Sequence, residues 1–505
     1  MAGTNYRAIT LVFIAVLIQS VVSIRYRHPC NSDDHCERHY SPKYYCEPGE
    51  GCIHKLTFPF RDDASRPWFI GGLVLIVVIS ALSNAGGIGG GAMFAPVIIW
   101  WFEFTVEEAG PITKATLFSS IVVNLAVLIW KSHPDKENET LIDFGLSSIL
   151  IPILVAGTMA GVVLNKVLPP IATLVLPVLF LWRTTFSLYF TAIEKYDERS
   201  NLLSQSPKPF HSPPSPGTKK YETSLAISIT SPVYYSINIF DSEEADADSK
   251  KMSHRRYPQL SHSVFLEPQD LINLKPVSFM TENKPFSPRS IAVDVLIMVF
   301  GAAIVWICAL LRGGKGSWSI IGINTCSAES WLLFALAQIL CFLFAGISYR
   351  RHNKRLIGGS NIEQNKDRLK NLFMWTYIAG VVSTFLGIGS GLVLSPVMIG
   401  LDFIPEIAAS ISAFSGLFSS STTSFQFYIN GALTLKGATM FMVASAIGSL
   451  IGVLLLYIIV QKYHKKKFLI WSVFGMSLVS SIALPLTALF SIYYSGGYLT
   501  LDYPC

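Results

Sequence analysis

The chain has 505 residues, of which 51% are hydrophobic and only 14% charged. A soluble fold with so little charge has too few polar groups to cover its surface, so the bilayer is the expected main solvent. The formal net charge of +6 comes largely from short basic loops of the kind that set membrane topology, which argues against nucleic-acid binding.

Residues 1–23 have the make-up of a secretory signal peptide. Arg7 precedes the apolar run Ile9 to Ile18, and Val21-Val22-Ser23 offers small residues for cleavage. An uncleaved signal anchor is the alternative, and either way residues 24–67 lie outside the cytosol. That segment holds Cys30, Cys36, Cys46 and Cys52, expected as two disulfides whose pairing is open. His28, His35, His39 and His54 are interspersed, which makes a zinc site the rival reading. Cys326 and Cys505 fall on the same side in the topology below and leave room for a third bridge, whereas Cys308 and Cys341 read as packed thiols.

Apolar segments long enough to cross a bilayer follow at 112–130, 141–163, 171–193, 291–311, 330–349, 405–428, 433–458 and 468–492. Residues 68–102 and 371–400 are different: each is too long for one span and is interrupted by a glycine cluster. If each were a single crossing, the basic run Arg350-Arg351-His352-Asn353-Lys354-Arg355 would face outside. If each is a broken pair of short helices or a re-entrant hairpin, it starts and ends on one side. Every basic loop is then cytoplasmic: Lys131 to Lys136, Arg350 to Lys370 and Lys462 to Lys467. Only the second reading obeys the positive-inside rule throughout.

The two odd stretches repeat each other. Gly87-Ile88-Gly89-Gly90-Gly91, followed by Pro96-Val97, recurs 300 residues later as Gly387-Ile388-Gly389-Ser390-Gly391 with Pro396-Val397. The same offset aligns Leu117-Phe118-Ser119-Ser120 with Leu417-Phe418-Ser419-Ser420. Gly157 and Gly161 resemble Gly448 and Gly452 at a slightly smaller offset, a spacing that lets helix backbones approach closely in lipid. One repeat starts outside and the other inside, so they are expected to be inverted, as in many secondary transporters.

The expected organisation is a 1–23 signal peptide, a 24–67 disulfide-rich extracytoplasmic domain and a 68–193 first transmembrane repeat. A mostly disordered cytoplasmic insert, rich in Ser, Pro and charge, occupies 194–290. Two linking helices fill 291–349, a basic cytoplasmic loop 350–370, the second repeat 371–492 and an extracytoplasmic tail 493–505. The fold class is an all-α polytopic membrane protein with two inverted repeats, each opening with a glycine-broken helix pair, plus two extra spans between them.

The breaks are the first candidate site. A helix broken inside the membrane frees backbone polar groups that protein, water or ligand must satisfy. A helix restarting after Gly91 or Gly391 turns its N-terminal amides and positive dipole end toward the break, where glycine allows an anion close approach. Gly87, Gly89, Gly90, Gly91, Gly387, Gly389, Ser390 and Gly391 are therefore candidate anion contacts, with close helix packing as the alternative. Lys114 is a costly intramembrane cation or a snorkelling interfacial one. Ser119, Ser120 and Asn124 repeat as Ser419, Ser420 and Ser424, with Ser421 and Gln426 nearby. Their hydroxyls and amides either bind the anion or bond helix to helix. Arg183, in the middle of 171–193, reads as a partner of the anion path or of Asp294, the second being preferred. Asp143 reads as a helix-start residue.

An enzyme is not expected. Ser390 sits in Gly-Ile-Gly-Ser-Gly, which lacks the Gly-x-Ser-Gly pattern of intramembrane serine proteases. No histidine falls in an expected span to serve as its base, and neither a metal nor a cofactor is expected.

Taken together, Gly87–Gly91 with Pro96, Thr113-Lys114, Lys131-Ser132-His133-Pro134, Gly387–Gly391 with Pro396, Ser419–Ser421 and Gln426 resemble the sulfite exporter TauE/SafE family. The likeness covers roughly 68–193 and 371–492. Cys52-Ile53-His54-Lys55 and Phe58-Pro59 look like the ectodomain of eukaryotic, protist-like members. The resemblance implies export of sulfite or a small organosulfonate, and it carries a binding role onto Lys114, both glycine clusters, Ser419, Ser420, Ser421 and Gln426. The ectodomain, the 194–290 insert and the two extra spans depart from simple bacterial members. Expected partners are a small sulfur-containing anion and the lipid bilayer, with nucleic acid excluded. The expected site of action is the plasma membrane or an endomembrane. The alternative function is a non-transporting receptor or scaffold that uses the ectodomain and insert.

Overall fold

The computed structural model describes residues 44–47, 51–54, 67–85, 90–102, 104, 106–128, 132–133, 136–140, 142–168, 172, 175–186, 288–314, 319–323, 327–357, 362–401, 403, 405–433, 435–463 and 467–495. All of them belong to one unit that joins Met1–Lys195 to Glu282–Cys505. The signal peptide, Gly87, Gly89, Cys30, Cys36 and nearly all of the 194–290 insert lie outside the described residues.

Twelve helices make up the described fold, and its only strands form two short hairpins. These are β1 (Tyr44–Glu47) with β2 (Gly51–His54) and β3 (Ser132–His133) with β4 (Lys136–Thr140). The first hairpin places the backbone of Cys46 opposite Cys52, while the side chains of both lie outside the described residues. The helices of the first half are α1 (Pro67–Ala85), α2 (Gly91–Trp100), α3 (Val106–Leu128), α4 (Phe144–Val167) and α5 (Val175–Phe186). Two linking helices follow, α6 (Pro288–Arg312) and α7 (Ala328–Ile357). The second half is α8 (Ile362–Thr384), a 3-10 turn at Phe385–Gly387, α9 (Ser390–Gly400), α10 (Pro405–Ile429), α11 (Leu435–Tyr463) and α12 (Lys467–Ser495).

Local chemistry sets these boundaries. Proline opens α1, α6 and α10, where its missing N–H costs nothing. Asp143 caps α4, its carboxylate accepting from the Leu146 amide at 3.0 Å. Among the described residues, six helices are long and apolar enough to cross a membrane, and α2 and α9 are much shorter. Many large apolar side chains stay exposed, among them Leu332, Ile339 and Leu343 on α7 and Ile447 and Leu454 on α11. Water would not tolerate such faces, but a bilayer solvates them. The protein is an integral, multi-pass membrane protein.

The first odd stretch doubles back on itself. Trp68 at the start of α1 stacks on Trp101 just beyond α2, with ring centroids 4.1 Å apart. Each indole N–H donates to the other residue's carbonyl, at 3.3 and 2.7 Å. Thus α1 and α2 form a broken pair whose two ends lie side by side.

The halves exchange partners through matched contacts. α4 packs on α8, and α11 packs on α1. Gly157 of α4 lies against the Tyr377 carbonyl and Gly380 of α8, and Gly161 lies against Val381 and Thr384. In the other pair Gly448 of α11 lies against the Val77 carbonyl and Ser80 of α1, and Gly452 against Ala81. Residues 77, 80 and 81 are the 300-residue counterparts of 377, 380 and 381. Any Cβ at these glycines would enter the facing backbone, so the small residues set the helix separation.

Three details differ from the sequence expectations. The basic segment 350–370 is mostly helical rather than a loop, because α7 runs on to Ile357 and α8 begins at Ile362. That extension buries His352, the histidine that hydropathy left outside the spans. Its Nε2 meets the fully buried Asp294 at 3.0 Å, and Arg351 approaches the same carboxylate oxygen at 3.6 Å. His352 also lies against Gly145, beside the Asp143 cap of α4. Arg183 is therefore not the partner of Asp294; its guanidinium lies 5.3 Å from the centre of the Trp375 ring. Cys308 and Cys341 are buried free thiols.

Candidate functional site

The two breaks converge on one place. Gly90 adopts φ +78° ahead of α2, and Gly387 adopts φ +68° ahead of α9. Both values belong to the left-handed region that glycine enters without strain. Gly91 sits so near the second break that a Cβ there would lie 2.5 Å from the Gly387 carbonyl oxygen and 2.7 Å from the Gly389 nitrogen. Glycine at 91 and 387 thus lets the two interrupted backbones touch. The first-turn amides of α9 have no intrahelical carbonyls to meet, apart from a 3.1 Å bond from the Leu392 N–H to the Gly389 carbonyl.

Lys114 crosses from the first half into this junction. It is fully buried on α3, and its Nζ donates to the Ile388 carbonyl at 3.0 Å. The side chain points inward, which removes the snorkelling alternative. No carboxylate pairs with it among the described residues. Thr113 packs beneath the same turn: a Cβ on Gly387 would lie 2.5 Å from the Thr113 Cβ. The Thr113 hydroxyl is buried and has no hydrogen-bond partner.

Ser390 opens α9 beside Lys114's carbonyl partner. Its hydroxyl is buried without a partner and lies 3.7 Å from where a Cβ on Gly416 of α10 would stand. Ser415, next to Gly416, also carries a buried unpartnered hydroxyl. Lys114, Thr113, Ser390 and the α9 N-terminus therefore all meet at residues 387–390. The arrangement offers one cation, two hydroxyl donors and a helix dipole, and no acidic group among the described residues.

The remaining candidates stand apart from this junction or are committed elsewhere. Ser119 bonds the Thr116 and Met442 carbonyls and the Ser445 hydroxyl, each at 2.8–2.9 Å. Ser120 bonds Ser80 at 3.1 Å and Asn84 at 2.7 Å. Both act as bonds between α3, α1 and α11. Asn124 is buried about one turn beyond Ser120 on α3. Ser420 donates back to the Gly416 carbonyl at 2.7 Å, and Gln426 donates to the Thr422 carbonyl at 3.2 Å. Ser419 reaches only the Ser383 hydroxyl, at 3.4 Å, while Ser421 is buried on the adjoining face. Sequence reasoning passed over Thr113, Ser415 and the Ile388 carbonyl. The spacing Ser412, Ser415, Ser419 was the available signal for Ser415, but nothing in the sequence points to a backbone carbonyl.

Known proteins resemble the chain along most of its length. No solved structure matches the chain. Among curated relatives, "Sulfite exporter TauE/SafE family protein 1" of Arabidopsis thaliana is 25% identical over 444 residues, covering 86% of this chain and 87% of the relative. Family protein 5 of the same plant is 24% identical and covers 81% of each; family protein 2 is 24% identical and covers 88% and 89%. The family model described as Sulfite exporter TauE/SafE matches residues 4–186 and 289–484, so both halves and the linking helices are included, and the chain belongs to the sulfite exporter TauE/SafE family.

Proposed function

We propose that this protein exports a small sulfur oxyanion, sulfite or an organosulfonate, from the cytosol through the junction of its two broken helices. The observation that carries the reading is the buried Lys114 ammonium, which reaches the Ile388 carbonyl in the break of the opposite half. A buried cation without a carboxylate partner is costly in a membrane and calls for an anion. Ser390, Thr113 and the first-turn amides of α9 supply neutral donors around it. Together they match a ligand with one or two charges and several acceptor oxygens. With the cytosol negative, outward movement of one negative charge is favoured by about 2.3 kcal/mol per 100 mV, a driving force available to export with or without a coupled proton. The paired seams of α4 on α8 and α11 on α1 suit alternating access in which one inverted repeat rocks against the other.

The test is labelled-sulfite flux into or out of proteoliposomes of purified protein, with and without an imposed potential. The reading predicts saturable flux that increases with a potential driving anions outward and falls at least a hundredfold in Lys114→Ala. Absence of flux for sulfite, sulfate, thiosulfate and small sulfonates under every gradient would overturn it in favour of a receptor or scaffold.

A further inference from the structure

A serine or threonine inside a membrane helix ordinarily satisfies its hydroxyl by donating to the carbonyl three or four residues back. Helix α10 follows this rule at Ser420 and Thr422, whose hydroxyls bond the Gly416 and Phe418 carbonyls at 2.7 and 2.8 Å. It breaks the rule at Ser412, Ser415 and Thr423. All three are completely buried, and none has a hydrogen-bond partner. At 100° per residue they fall within an arc of about 80° on one face, and they span about 16 Å of helix, half the hydrocarbon thickness of a bilayer. The short helix α9 adds two more such hydroxyls, Ser390 and Ser395. Ser390 faces Gly416, and in this antiparallel hairpin five residues onward brings Ser395 level with Ser412.

Chance scatter of serines does not account for the pattern, because the first half provides a control. At the 300-residue offset Ser390, Ser395, Ser412, Ser415 and Thr423 correspond to Gly90, Ala95, Ile112, Ala115 and Val123. Each of these five hydroxyls has an apolar or glycine counterpart, and the buried cation Lys114 has Phe414 as its counterpart; Ser424, unpartnered on another face of α10, corresponds to Asn124. The duplicated backbone thus carries an unduplicated set of polar groups, with the cation and Thr113 in one half and this row of free hydroxyls in the other. Buried hydroxyls without partners cost stability, so an unpaired row of them calls for a ligand with acceptor oxygens.

We infer that the face of α10 bearing Ser412, Ser415 and Thr423, with Ser390 and Ser395 of α9, is the track along which the anion is handed past Lys114. The inference rests on the transport reading and assigns the row of hydroxyl donors along the path to the second half. Ser395 and Ser412 form the step on the α9–α10 turn side, Ser390 and Ser415 the step beside Lys114, and Thr423 the step beyond it. Each donates a hydroxyl hydrogen to a ligand oxygen, so the ligand sheds water gradually without meeting a second fixed charge.

The test uses full-length protein in proteoliposomes and labelled sulfite. Ser412→Ala, Ser415→Ala and Thr423→Val are made singly and together, with Ser449→Ala as the control for a bonded serine. Each single change is expected to raise the half-saturating sulfite concentration at least threefold, and the triple variant to lose flux at least thirtyfold. Thermal midpoints in detergent are expected to match or exceed that of the parent protein, because no protein hydrogen bond is lost. Ser449→Ala is expected to keep its flux with a lower midpoint. Unaltered flux and half-saturation in the triple variant overturn the track while leaving export standing. A triple variant that fails to fold also overturns it, because the hydroxyls would then be structural. Absence of flux in the parent protein removes the transport reading and the track with it.

Discussion

Helices α3 and α10 carry the same Leu-Phe-Ser-Ser sequence at Leu117–Ser120 and Leu417–Ser420, yet their polar groups do different things. On α3 the repeated serines bind α1 and α11 through Ser80, Asn84, Met442 and Ser445. On α10 Ser420 bonds its own helix, and a neighbouring face holds hydroxyls with no partner at all. Duplication kept the backbone plan and the helix seams, because those depend on where glycines fall. It did not preserve the chemistry: a buried lysine and Thr113 come from one half and a row of unpartnered hydroxyls from the other. A recurring sequence motif therefore locates a shared backbone feature better than it predicts which side chains surround it.

The comparison is broken most severely at the crossing of the two glycine turns. Gly387→Val combines overpacking against Thr113 with a branched side chain at φ +68°, a cost of about 3–5 kcal/mol. Gly91→Val drives a side chain into the Gly387 carbonyl and should be nearly as damaging. Both are expected to abolish a monodisperse peak in detergent size-exclusion chromatography. Gly346→Ala, with nothing within 4 Å of its added Cβ, should leave the peak intact. A well-folded Gly91→Val protein would show that the two breaks do not touch.

The helix seams sharpen the comparison at smaller scale. Gly161→Ala and Gly452→Ala occupy matching places in α4 and α11 and meet backbone on α8 and α1. Each is expected to destabilise the protein by about 1–3 kcal/mol. Thermal midpoints measured side by side should drop by similar amounts, and a large disparity would show that the two seams are not equivalent.

Much of this arrangement was legible in the sequence, for physical reasons. The glycine breaks and the Gly-x-x-x-Gly seams are visible because backbone contact excludes every other residue, so the pattern survives duplication. Lys114 stood out because a charge amid apolar residues is conspicuous. Its bond to Ile388 did not, since 274 residues separate them and a carbonyl leaves no mark on side-chain identity. The repeated Ser119 and Ser120 are harder to read for a related reason: a serine that bonds helix to helix reads the same in sequence as one that binds a ligand. Arg183 was matched to Asp294 because hydropathy ends the 330–349 span near Tyr349, short of Arg351 and His352. Helical packing against α4 carries α7 onward and delivers Arg351 and His352 to that carboxylate.

The smallest expected effect concerns a single bonded serine. Ser449 donates to the Ser120 carbonyl at 2.7 Å, and Ser449→Ala should cost about 0.6 kcal/mol, the typical worth of one interhelical hydrogen bond in a membrane. Equilibrium unfolding in mixed micelles reads that difference, and a stability gain would argue that the seam bonds are strained.

The most direct test of the central claim is equilibrium binding of labelled sulfite to the purified protein, compared with Lys114→Met, which keeps the side-chain volume and removes the charge. If the crossing of the two breaks is the anion site, the parent protein binds one sulfite saturably and Lys114→Met binds at least a hundredfold more weakly with an unchanged thermal midpoint. Equal affinity in the two proteins would contradict the account and place any anion site away from the glycine junction.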